Sequence, residues 1–160
     1  MAGPLRPHVA PGGDLFVPGE SLAGLMGAVL EKGLSFRFEA RGESMHPAVR
    51  HGDVVTVAPL AGRPPALGDV VAFVHPETGG VRVHRVVSIE GGRYVLKGDN
   101  ALGADPPVGR DGIIGLVVGL ERGGRGRRLG PASWSAARAR LSRTSCFTPL
   151  VRRARRTFPR

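Results

Sequence analysis

The sequence predicts a mainly β fold, a coiled, folded-over antiparallel sheet or barrel with one short helix in front of it and a basic tail behind. Three observations carry this. Apolar residues recur with period two in short runs separated by glycine turns, at Phe36/Phe38, Val54–Val57, Val70–Phe73, Val81–Val87, Tyr94–Leu96 and Ile113–Leu120. The 25 Gly and 14 Pro among 160 residues favour many turns over long helices. Only one stretch, Ser21 to Leu34, places Leu22, Leu25, Met26, Val29 and Leu30 at helical spacing.

That stretch predicts a single amphipathic helix, with Ser21 as its N-cap and Gly33 as its stop. The strands then follow from their turns. Arg41-Gly42-Glu43 closes the first, Gly52-Asp53 and Gly68-Asp69 open the next two, and Gly79-Gly80 and Gly91-Gly92 link those after. Ahead of them, residues 1–13 are rich in Pro and Gly and read as a disordered leader. Residues 14–121 form the folded domain, and residues 122–160 an arginine-rich tail. Within the tail, "RGGRGRRLG" (122–130) reads as a flexible basic linker, and "SWSAARARLSR" (133–143) as a helix with arginines around most of its circumference.

Charge divides along the same boundary. Residues 1–121 hold all 13 acidic residues and 11 of the 23 Lys+Arg, and the tail holds the other 12 bases and no acid. A basic tail on a nearly neutral domain points to phosphate, here an anionic membrane surface met by residues 122–160. Binding of nucleic acid by such a tail would be non-specific and salt-sensitive, so no specific nucleic-acid partner is expected. No apolar run is long enough to span a bilayer, and Pro4, Pro7, Pro11 and Asp14 interrupt any signal-peptide pattern. The expected location is cytoplasmic, peripheral to the inner face of the membrane. The single cysteine, Cys146, excludes an internal disulfide and lacks an activating motif.

The chemistry rests on Ser44. Alone, in "ARGESMHPAVRHGDVVTV" (40–57), it is a turn hydroxyl. A serine nucleophile needs a base within hydrogen-bond reach and a group to orient that base. The bases available are Lys32, Lys97, His8, His46, His51, His75 and His84. His46 and His51 share the serine's turn and read as exposed. A metal site joining them to His84 has no carboxylate or thiol spacing behind it, so neither metal nor cofactor is expected.

Four ordered blocks, "GESMHPAVRHGDVVTV", "LGDVVAF", "VHRVV" and "KGDNALGAD", resemble the signal peptidase I and LexA-like serine peptidases over roughly residues 36–120. The resemblance implies that fold and a peptide hydrolase in which Ser44 attacks the scissile carbonyl. In bacterial signal peptidases and LexA-like repressors a lysine lies where this chain has His84. The exchange resembles the endoplasmic-reticulum and archaeal signal peptidases, which use histidine. The resemblance makes His84 the general base and Asp105 its orienting carboxylate. Asp99 becomes a structural aspartate beside the site, with Lys97, Gly98 and Asn100 in its block. Met45 and Pro47 would contact substrate, and the backbone N–H of Ser44 would serve the oxyanion.

Gly42 departs from the pattern, because many signal peptidases carry a second, oxyanion-binding serine two residues before the nucleophile. No run in this sequence reads as the family's membrane anchor, so none is expected here. The expected function is cleavage of a dedicated leader or signal-like peptide; the alternative is a catalytically weak or inactive peptide-binding module of the same fold. A self-cleaving DNA-binding repressor fits less well, since the residues before Phe36 hold one helix and no helix-turn-helix.

Overall fold

In a computed structural model of the chain, residues 19–129 are described, together with two short strands at His8–Val9 (β1) and Leu15–Phe16 (β2). β1 and β2 pair antiparallel with each other, so part of the stretch read as a disordered leader forms a two-residue ladder. The remainder of the leader, the 133–143 helix and Cys146 lie outside the described residues.

Helix α1 spans Gly19–Glu31. It begins two residues before the expected cap, so Ser21 is an exposed residue of its first turn; such boundaries commonly shift by a residue or two. Its end falls where Gly33 predicts. The N–H of Gly33 donates to Leu30 O at 2.9 Å and that of Leu34 to Val29 O at 3.3 Å, the paired bonds that satisfy a helix's last carbonyls.

The main sheet contains β3 (Phe36–Glu39), β4 (Val54–Ala58), β5 (Val70–Val74), β6 (Val81–Glu90), β7 (Arg93–Lys97), β8 (Ile113–Arg122) and β9 (Arg125–Arg128). It is antiparallel in the order β3-β4-β8-β5-β6-β7, with β9 also pairing β8. The sheet stays open, with β3 and β7 ending the path, rather than closing into the barrel that the strand pattern equally allowed. Register shifts at Thr56/Val57, Ala72/Phe73 and Val86/Ser88 bend the ladders and let the sheet fold over.

"RGGRGRRLG" is therefore not a linker through Arg128. Gly123-Gly124 turns the chain, and β9 returns along β8 from Arg125↔Arg122 to Arg128↔Gly119. All four β9 side chains are exposed, so main-chain bonding rather than apolar burial sets this pairing.

Period-two alternation sorts the side chains into two cores. Met26 and Leu30 of α1, Met45, Val49, Val55, Val57, Val70, Ala72, Val117 and Leu120 make one. Leu60, Val71, Phe73, Val86, Tyr94, Leu96, Val108 and Ile113 make the other. β6 runs between them, with Val81 and Val83 against the first core and His84 beside Phe73 of the second.

Candidate active site

Ser44 stands in a tight turn between β3 and β4. Asp53 anchors the turn, accepting the Arg50 N–H at 2.7 Å and a two-point bond from Arg122 at 2.8 and 2.7 Å. Arg122 also reaches the Ala48 carbonyl at 3.4 Å, tying the loop to the end of β8. The Arg122 bond holds the Asp53 carboxyl below its usual range, with help from the Arg50 N–H and against the effect of burial. The turn contains a cis peptide between His46 and Pro47.

The "KGDN" block cradles the other side of this turn. The Asn100 backbone N–H donates to Ser44 O at 2.7 Å, and its side-chain amide to Glu43 O at 3.1 Å. Asp99 takes two bonds from buried Arg85, at 2.8 and 2.7 Å, and Arg85 donates a third to Gly68 O at 2.9 Å. Lys97 is buried at the end of β7, opposite Arg85 in the ladder. Gly98 is required by space, since a Cβ there would stand 2.6 Å from Ser44 O.

His84 projects from β6 and is buried, whereas Ser44 is exposed. Its Nε2 lies 3.0 Å from Ser44 Oγ, and its Nδ1 lies 2.5 Å from Asp105 Oδ2. Asp105 comes from a loop that doubles back along β7. Its N–H donates to Leu96 O at 2.8 Å, and Tyr94 and Val108 exchange bonds just beyond. Arg82 reaches its other oxygen, Oδ1, at 3.2 Å. Burial raises the Asp105 carboxyl, but the hydrogen bond from His84 and the charges that His84, Arg82 and His75 carry in the acid range where this carboxyl titrates outweigh it and leave the group below its usual range.

Three residues far apart in sequence thus form one line, Ser44–His84–Asp105. With its Nδ1 hydrogen held by Asp105, a neutral His84 offers the lone pair of Nε2 to the serine hydroxyl. A histidine so placed can take a proton from the hydroxyl and return it to a leaving group.

The line opens into a cleft of about 910 Å³ between β3 and the first half of β6. Leu22 and Leu25 of α1, Phe36, Phe38, Val81 and Val83 give it an apolar lining beside Ser44 and His84. Among the described residues β3 bonds only to β4, and β6 over residues 81–84 only to β5. Each therefore turns an unpaired backbone edge toward the cleft.

The other expected residues distribute unevenly. Met45 is buried and lines the cleft, but Pro47 does not belong to its lining. His51 is exposed, and its Nδ1 accepts the Gly42 N–H at 3.4 Å. His46 is half-buried rather than exposed, its Nδ1 enclosed without a hydrogen-bond partner because the turn folds the ring inward. Gly42 sits at φ +90°, a conformation glycine adopts freely and serine does not. Among the described residues no cluster of His, Cys, Asp or Glu could hold a metal, and no helix is long and apolar enough to cross a membrane.

Two side chains of the site escape sequence reasoning. His75 reads only as the start of a loop, yet its Nε2 lies 3.6 Å from Asp105 Oδ1. Arg85, within "VHRVV", receives no role in that reading, but it is buried and seats Asp99. A signal for Arg85 is present: an arginine inside an apolar run needs an acid, and Asp99 follows just beyond the adjacent strand.

A family model described as Peptidase S24-like matches residues 19–118. No curated protein and no solved structure matches the chain.

Proposed function

The chain belongs to the Peptidase S24-like family, and on that premise we propose that it is a serine endopeptidase cleaving a dedicated leader or signal-like peptide, with the histidine base of the endoplasmic-reticulum and archaeal signal peptidases. The observation that carries this reading is the continuous line from Ser44 Oγ to His84 Nε2, 3.0 Å, and from His84 Nδ1 to Asp105 Oδ2, 2.5 Å, at the mouth of an apolar cleft.

The substrate lies extended in the cleft, its backbone bonding to the free edges of β3 and β6 and its apolar side chains directed at the cleft lining. Ser44 Oγ attacks the scissile carbonyl as its proton passes to His84 Nε2. Asp105 stabilises the imidazolium and keeps its Nδ1 hydrogen in place. The Ser44 backbone N–H donates to the oxyanion. The tetrahedral intermediate collapses as His84 gives its proton to the departing amine, leaving an acyl-serine. Water then enters by the same route in reverse, with His84 again the base, and frees Ser44. Because imidazole titrates near neutrality without help, this chemistry does not need the deep burial that a lysine base requires.

Incubation of the purified protein with candidate leader peptides, beside Ser44→Ala, tests the reading. Cleavage lost in the variant, together with fluorophosphonate labelling at Ser44, is the expected outcome. Equal cleavage by both proteins would remove Ser44 from the mechanism, and intact peptides with an unlabelled serine would favour a binding module.

We propose further that the arginine-rich segment from residue 122 onward meets an anionic membrane surface, which would hold the enzyme at the inner face of the membrane. Sedimentation with phosphatidylglycerol vesicles, lost at high salt and absent with neutral vesicles, is the corresponding result.

A further inference from the structure

Asp105 presents two oxygens, and His84 uses only one. The other, Oδ1, faces Arg82 Nη1 at 3.2 Å and His75 Nε2 at 3.6 Å. The two cationic candidates differ. The Arg82 side chain is 41% exposed and free to leave, whereas that of His75 is 5% exposed. His75 follows directly on β5 and is fixed by the hairpin it opens. Its N–H donates to Gly80 O at 2.9 Å, and its O accepts the Gly79 N–H at 2.9 Å. Its ring packs on Phe73, whose other neighbour is the His84 ring, at centroid separations of 6.4 and 5.8 Å.

The tautomer of His75 follows from a single contact. The Glu77 backbone N–H points at Nδ1 from 3.3 Å, so Nδ1 is the acceptor and the neutral ring carries its hydrogen on Nε2. Nε2, the atom that then carries the hydrogen, lies 3.6 Å from Asp105 Oδ1. The groups that face the ring are thus Asp105, Arg82 beyond it, His84 across Phe73, and the Glu77 main chain. A protonated His75 would set two N–H groups against each other at Nδ1 and place a second cation near the imidazolium that forms on His84. The neutral ring avoids both.

We propose that His75 is a positioning residue: as a neutral, Nε2-protonated ring it fixes the Asp105 carboxylate through Oδ1, so that Oδ2 stays aligned with His84 Nδ1. At 3.6 Å the contact is an electrostatic restraint rather than a full hydrogen bond. This inference rests on the Ser44–His84–Asp105 reading for its kinetic consequence but not for its spectroscopic one.

His75→Phe keeps the packing on Phe73 and removes the donor; His75→Gln restores an N–H. In His75→Phe the kcat for peptide cleavage falls about twofold at unchanged KM, the low end for one neutral hydrogen bond, and His75→Gln recovers most of it. Imidazole 1H–15N spectra give the readout that needs no substrate. In the unsubstituted protein His75 carries its hydrogen on Nε2 at neutral pH. In His75→Phe the loosened carboxylate lets the His84 Nδ1 hydrogen exchange faster and displaces the His84 ring resonances. A His75 hydrogen on Nδ1, or a charged ring at neutral pH, overturns the proposal even if neither variant folds. So does a folded His75→Phe with unchanged His84 resonances. Altered resonances in a protein that cleaves nothing would instead uphold the His75 contact and count against the peptidase reading.

Discussion

A methyl group on Gly98 would stand 2.6 Å from the Ser44 carbonyl oxygen and 3.1 Å from His84 Nε2. The bare backbone at Gly98 is what lets the serine turn and the histidine strand approach each other. The opposing oxygen cannot retreat, because it already accepts the Asn100 N–H at 2.7 Å. Gly98→Ala therefore separates Ser44 from His84. A displacement of about 1 Å costs about 10² in rate, so kcat/KM falls by at least that factor, while overpacking lowers stability by about 1–3 kcal/mol. Steady-state kinetics alongside a thermal melt distinguish the two effects. A variant with undiminished kcat/KM would show that the close approach is not used.

Replacing Asp105 with Asn preserves the shape of the site and removes the charge. The amide can present N–H where Oδ2 accepted the Nδ1 hydrogen, which drives His84 toward the wrong tautomer. In a Ser-His-Asp protease the same change lowers kcat by about 10⁴, and a fall of that order is expected here. Fluorophosphonate labelling of Ser44 slows in parallel. A loss of tenfold or less would mean that Asp105 serves the fold more than the reaction.

Local pattern alone did not mark the three members of this line: Ser44 reads as a turn hydroxyl, His84 as a strand residue among valines and Asp105 as a turn carboxylate, and only the family resemblance of the four blocks joins them. The strands were legible directly, since alternating valines bury one face of a sheet. β9 was not, because Arg125–Arg128 buries no side chain and its pairing is entirely a main-chain matter. His75 was equally hidden. Its link to Asp105 depends on how a hairpin and a returning loop meet, 30 residues apart in sequence, and no local pattern encodes that distance.

The Arg85–Asp99 pair bears on stability. Arg85 donates three bonds, to both Asp99 oxygens and to Gly68 O, from a side chain 4% exposed. Removing one partner strands a buried charge, at a cost of about 3–5 kcal/mol. Arg85→Met should show this in urea unfolding, and Arg85→Lys should recover little, because an ammonium cannot reproduce the two-point fork. If the double variant Arg85→Met/Asp99→Leu restores stability, the pair is kept for placing Asn100 against Ser44 rather than for the fold.

The Asp53 anchor predicts a pH dependence. The Arg122 bond lowers the folded carboxyl below its ordinary value of 3.8. A depressed carboxyl contributes stability that is complete above the unfolded value and is lost as pH falls through the folded one. Stability of the unsubstituted protein should therefore decline below about pH 4, and Asp53→Asn should start lower and decline less steeply over that range. Parallel acid profiles for the two proteins would mean that the Asp53–Arg122 bond is too solvent-screened to matter.

By the resemblance to signal peptidases, Gly42 falls where many of them carry a second serine, and its backbone disfavours one. At φ +90° an L-residue is strained. A Cβ at this position would meet no atom within 4 Å, so the obstacle is conformation rather than space. Gly42→Ser must either accept the strain, at about 1–3 kcal/mol, or rotate out of it and drag the neighbouring Ser44 with it. The expected result is a lower melting temperature with kcat unchanged or reduced. An added oxyanion donor in the right place would instead raise the rate, since one such donor is worth about 10²–10³. A large gain in kcat would therefore mean that the turn can relax to admit serine, and that the oxyanion site is short of a donor only because of the residue at this position.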